Sequence, residues 1–135
     1  MLKVLHTSQL WNHIGAARGR GQVTAAIAYA NADHLKLRAG DTLICDASPM
    51  RIQTGATSFK LLKMLAERKV HLFHMPRLHA KVVRLSNHVV IGSANMTSNA
   101  LSLFEAAILT DDSDALAQVD KMLDGLMKRR ALEVI

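Results

Sequence analysis

The segment Val23–Ala30 reads VTAAIAYA. It has the length of a strand but lacks the polar alternation of a half-exposed one. A continuous apolar run of this kind fits a strand covered on both faces. Such a strand demands a layer of structure above it and another below. Other strand-like runs recur along the chain: LKVLHT at the start, TLICDA from Thr42, VHLF from Val70, LHAKVVRL from Leu78, HVVIGSA from His88 and AAILTD from Ala106.

Between these runs the apolar period changes to that of a helix. SQLWNHIGAAR places Leu10, Trp11 and Ile14 at helical spacing, with Ser8 as its cap, and Gly19 and Gly21 break it. Thr57–Arg68 sets Phe59, Leu62, Met64, Leu65 and Ala66 mostly along one face. Asp112–Arg130 repeats Leu116, Val119, Leu123 and Leu126, with Met122 and Met127 beside them as core filler. Its acidic residues stand at the start and its basic ones at the end, as the helix dipole prefers. Asn31–Asp41 reads as a connection, Pro49 closes the strand before it, Pro76 marks a turn, and Ser86 and Asn87 form another. Strands alternating with helices predict an α/β fold, a mixed and mostly buried β-sheet flanked by helices. The 135 residues suit one domain, 1–135.

The chain carries a net charge of +6 with a pI near 9.9, which favours a phosphate-bearing partner. The basic residues are spread out, RGRG at Arg18–Gly21 and KRR at Lys128–Arg130 being the densest spots. Arg18 and Arg20 either touch substrate phosphates or lie on a solvated loop. The one cysteine, Cys45, sits among apolar residues and reads as a buried, inert thiol, which excludes a disulfide framework within one chain. The first residues are interrupted by polar ones, unlike a signal peptide or a membrane span, so a cytoplasmic setting is expected.

The chemistry concentrates in LHAKVVRLSNHVVIGSANMT, Leu78–Thr97. On a strand His79 and Lys81 share a face. Two titratable groups on one face of a core strand are costly if left unpaired. GSAN follows: Gly92 permits close backbone approach to a ligand, and Ser93 and Asn95 offer hydrogen bonds two residues apart. A hairpin through Ser86–Asn87 brings His79, Lys81, Ser93 and Asn95 to one patch, with Glu105 on the next apolar segment in reach of the imidazole. A neutral imidazole can attack phosphorus. Lysine and asparagine can hold the charged oxygens, and a carboxylate behind the histidine can fix its tautomer. No metal or cofactor is called for. Singly, each residue has a plainer role: His79 as a satisfied structural histidine, Ser93 as a turn cap, Glu105 as a strand-edge residue. Asp46 ends a strand near the same level and reads as a turn or helix cap.

HAK followed by GSAN resembles the His-x-Lys … Gly-Ser-x-Asn signature of the phospholipase D superfamily, over about Leu78–Thr110. The resemblance implies a phospholipase D-like fold. It implies His79 as the nucleophile that forms a phosphohistidine, Lys81, Ser93 and Asn95 on the phosphate, and Glu105 orienting the histidine, as in the small nuclease branch. The usual Asp five residues after the Lys is replaced here by Ser86, as some nuclease members also lack it. The chemistry of the family uses two histidines, and this chain has one such motif. A homodimer through the active-site face is therefore implied, with Met96, Leu101, Leu103 and Phe104 as its apolar surface. The expected function is a metal-independent phosphodiesterase cleaving DNA or RNA. The alternatives are a phospholipase or phosphatidyl transferase, and a catalytically inactive nucleic-acid-binding module.

Overall fold

A computed structural model describes residues 1–6, 9–129 and 132–134. Their order is β1 (Leu2–His6), α1 (Leu10–Ala17), β2 (Thr24–Ile27), β3 (Thr42–Cys45), α2 (Pro49–Thr54), α3 (Phe59–Glu67), β4 (His71–His74), β5 (Lys81–Arg84), β6 (Val89–Gly92), a 3-10 turn (Ser98–Leu101), β7 (Ala106–Thr110), α4 (Ser113–Arg129) and β8 (Leu132–Val134). The strands make one sheet in the order β1-β7-β6-β5-β2-β3-β4-β8. The β2–β3 and β3–β4 pairs are parallel, and the other five are antiparallel.

The apolar runs form strands because both faces of the central sheet are covered. Alternate residues point to opposite sides. Ala25, Leu43, Leu72, Val83 and Val90 meet Leu10, Trp11 and Ile14 of α1 and Leu61, Leu62 and Leu65 of α3. Ala26, Ile44, Val82 and Val89 meet Val119 and Leu123 of α4. The expected α/β architecture is present.

Local signals explain the helix limits. The Ser58 hydroxyl accepts the Leu61 N–H at 3.1 Å and starts α3, a cap worth about 1 kcal/mol. Phe59 and Met64, assigned to the core face of this helix, are exposed instead, and Leu61 takes the inward position. Met122 is exposed too, so it is not core filler. Pro49 does more than close a strand: it opens α2 at the position where a missing N–H costs nothing. The expected cap Ser8, and Arg130, lie outside the described residues. Among the described residues no helix is long and apolar enough to cross a membrane.

One region stays uncovered. α4 stops short of the far strands, so Val4, Ile108 and Ile91, aligned in register across β1, β7 and β6, face outward with Leu2 nearby.

Candidate active site

The parallel strands β2, β3 and β4 finish at the same end of the sheet at which β5 and β7 begin and β6 finishes. Strand ends of this kind are where α/β sheets hold ligands. His79 lies just before β5 rather than within it, and the chain there is held by the Ala28 N–H donating to the Ala80 carbonyl at 3.0 Å. Lys81, the first residue of β5, places its Nζ 3.3 Å from His79 Nε2, 3.5 Å from Nδ1 and 3.0 Å from the His79 carbonyl. The imidazole is exposed and the lysine half-buried. Burial holds the Lys81 ammonium below its ordinary pKa, while the nearby Glu105 carboxylate pulls it back up.

The neighbouring strands supply the rest. The Ser93 hydroxyl donates to Glu105, and it accepts the Ala106 N–H at 3.2 Å. The carboxylate expected against the imidazole thus bonds Ser93 instead. Asn95 Oδ1 accepts the Tyr29 N–H at 3.1 Å, which fixes the amide, and its NH₂ has no hydrogen-bond partner among the described residues. A cleft of about 210 Å³ runs alongside, lined by Tyr29, Asn31, Asn95, Thr97, Asn99 and Glu105 among others. His79, Lys81, Ser93, Asn95 and Glu105 therefore gather at one end of the sheet.

Two expectations need correction, and Gly92 has a packing reason of its own: a Cβ there would sit 2.5 Å from Ala107 Cβ and 2.7 Å from the Ala106 carbonyl oxygen of β7. Arg18 is only 7 % exposed, and its Nη2 lies 2.6 Å from the fully buried Asp41 carboxylate. It ties the α1–β2 loop to the β3 entrance and is not available to substrate. Arg20 is exposed, but its loop is at the wrong end of the sheet: the neighbouring Gly21 N–H donates to Ser86 Oγ, 3.0 Å away. Ser86 stands five residues beyond Lys81, about 16 Å along the strand direction. The replacement of the usual Asp at this position therefore leaves the His79 end untouched.

Sequence reasoning missed Tyr29 and Arg51. Tyr29 follows β2, and the Arg51 guanidinium carbon lies 4.9 Å from its ring centroid. Asp46 takes the turn role expected of it: it accepts the Ser48 N–H at 2.9 Å, the Ser48 hydroxyl and the Arg77 N–H at 3.2 Å. Burial alone would raise its pKa, but the Ser48 and Arg77 bonds outweigh that and hold it below the ordinary value. Arg77, two residues before His79, adopts φ +63°, an uncommon conformation for a side chain of its size. Cys45 is buried, its thiol pushed up to about 12.

A family model described as "Cardiolipin synthase, PLD-like domain" matches residues 2–127. The chain belongs to the phospholipase D-like phosphodiesterase family. Its fold is that of solved members. Nuc of Salmonella typhimurium, a phospholipase D family member, aligns with a TM-score of 0.76 at 12 % identity over 99 % of both chains. NucT of Helicobacter pylori aligns at 0.72 and 16 %, over 99 % of this chain and 100 % of its own. The archaeal chromatin protein TrmBL2, which binds DNA, aligns at 0.63 and 12 %, over 98 % of this chain and 54 % of its own. A comparison with curated protein sequences gives no match.

Proposed function

We propose that this phospholipase D-like protein hydrolyses the phosphodiester backbone of DNA or RNA through a phosphohistidine, without a metal ion. The observation that carries the proposal is the Lys81 ammonium set 3.3 Å from the exposed His79 ring, at the end of the sheet that also holds the Asn95 amide. The imidazole nitrogen attacks phosphorus. A P–N bond forms, and the P–O bond to the leaving strand breaks. Lys81 and the Asn95 NH₂ receive the charge that grows on the non-bridging oxygens. Ser93, just after β6, and Glu105, just before β7, hold the site together. Water then attacks the phosphohistidine, and histidine and a phosphomonoester result.

The leaving oxygen needs a proton. In this reading the His79 of a second copy donates it and later takes one from the attacking water. Exposed Phe104 and Leu103 beside the site, and the uncovered row Val4, Ile108 and Ile91, are apolar surface for such a homodimer. Met96, expected there, is fully buried and belongs to the core instead; the Leu101 side chain lies outside the described structure. The net charge of +6 suits a polyanion, with binding that weakens steeply in salt.

The test is cleavage of single- and double-stranded DNA and RNA in EDTA by the wild type and His79→Ala. Cleavage that resists EDTA and is lost in the variant is expected. Cleavage that EDTA abolishes and the variant retains would overturn the reading. The match to a cardiolipin synthase domain favours a second reading, phosphatidyl transfer on lipid. Turnover of phospholipid vesicles with none of nucleic acid would select it.

A further inference from the structure

Arg51 is a cation mounted beside the site with its working end unspent. It stands on α2, none of whose residues is buried, and is 39 % exposed. Two partners hold the inner part of its guanidinium. The Tyr29 ring lies 4.9 Å from the guanidinium carbon, and Asp46 Oδ2 lies 3.8 Å from Nε. The Asp46 contact is long, and that carboxylate already accepts the Ser48 and Arg77 bonds. Neither terminal NH₂ of Arg51 has a hydrogen-bond partner among the described residues. A planar fork, fixed by an aromatic face and open to solvent, is pre-organised for the paired oxygens of a phosphate.

Its position is tied to the reacting groups from two sides. Tyr29 lines the cleft with Asn95 and Glu105, and its N–H orients the Asn95 amide. Asp46 fixes Arg77, two residues before His79. Arg51 thus packs on Tyr29, a residue that lines the cleft, and makes no bond to His79 or Lys81 among the described residues. We propose that Arg51 grips a phosphate flanking the scissile one, so that it selects a polymeric phosphodiester over an isolated one. This rests on the phosphodiesterase reading above.

Two substrates separate the cases. A labelled single-stranded oligonucleotide has flanking phosphates, whereas bis(4-nitrophenyl) phosphate is a diester without any. Arg51→Gln is expected to cut kcat/KM on the oligonucleotide about tenfold, the loss of a charge-assisted bond, and to leave the small diester unchanged. In anisotropy titrations the slope of log K against log salt should fall by about 0.7. Arg51→Met, which removes the guanidinium but keeps an unbranched apolar side chain of similar reach, should behave alike. Lys121→Gln on α4, across the sheet, removes the same charge and should leave the slope alone.

Equal losses on both substrates, no loss on either, or the same slope change in Lys121→Gln would overturn the proposal. So would a wild type that binds no oligonucleotide. Failure to hydrolyse the small diester would instead count against the phosphodiesterase reading. The binding slopes would then still decide on Arg51.

Discussion

Replacing Arg18 by methionine separates a structural arginine from a substrate-binding one. The guanidinium is 2.6 Å from Asp41, with side-chain exposures of 8 % and 0 %. Asp41 also accepts the Val23 N–H and the Arg38 N–H, each at 2.9 Å. Removing one partner of a buried pair strands the other, which costs about 3–5 kcal/mol. Two backbone donors remain on Asp41, so the lower end, about 3 kcal/mol, applies. In a chain of this length each kcal/mol shifts the melting temperature by roughly 3–5 °C, giving a fall of about 10 °C or more. Calorimetry of Arg18→Met, Asp41→Asn and the double variant measures it. The two losses should be strongly non-additive, because either one alone breaks the pair. The salt dependence of nucleic-acid binding should stay as in the wild type. A variant that melts within 2 °C of the wild type but binds nucleic acid with a lower salt slope would refute the reasoning (the threshold is about half of one kcal/mol).

Three further outcomes follow from the site. Gly92→Ala forces a methyl group against β7 and should cost about 1–3 kcal/mol by chemical denaturation; an unchanged midpoint would show that β7 can yield. Lys81→Met should abolish turnover yet raise the melting temperature at neutral pH. Burial lowers the folded-state pKa of Lys81, so the unfolded chain binds the proton more readily, and stability rises with pH between the folded and unfolded pKa values. The advantage of the variant should therefore shrink through that alkaline window, and a variant less stable at pH 7 would contradict it. Asp46→Asn should destabilise by about 1.5–3 kcal/mol at neutral pH. The depressed carboxyl contributes stability above its unfolded pKa that is lost as pH falls through the folded value. The gap between parallel melting curves should narrow as pH falls below the unfolded value, and a gap that stays constant however far the pH is lowered would exclude the charge as the cause.

The sheet was legible because burial on both faces leaves uninterrupted apolar runs, as in Val23–Ala30. α2 was not, because none of its six residues is buried and no apolar period marks it; only Ser48–Pro49 signals its start. β8 spans three residues and gave no pattern. In the site, His79, Lys81, Ser93 and Asn95 were visible as spaced pairs at the adjoining ends of two strands that pair with one another. Arg18 was misread because RGRG looks like a solvated, phosphate-accessible loop, whereas its partner Asp41 lies 23 residues away. Arg51 and Tyr29 escaped for the same reason: a contact between elements distant in sequence leaves no local trace. Glu105 was found, but its bond to Ser93 depends on the β6–β7 register, which spacing alone does not reveal.

The sheet order also has a mechanical consequence. β1 and β8 are the two edge strands, and Leu2 and Val134 both lie at the end opposite His79. Seven inter-strand gaps separate them, about 34 Å. A force applied between the chain ends is directed across the sheet and peels each edge strand from its neighbour, breaking its hydrogen bonds one after another. Such a geometry resists little compared with one that shears all bonds of a strand at once. β8, with three paired residues against five in β1 among the described residues, should detach first under load. Neither strand carries His79, Lys81, Ser93, Asn95 or Glu105, so the edges can give way while the reacting groups stay assembled.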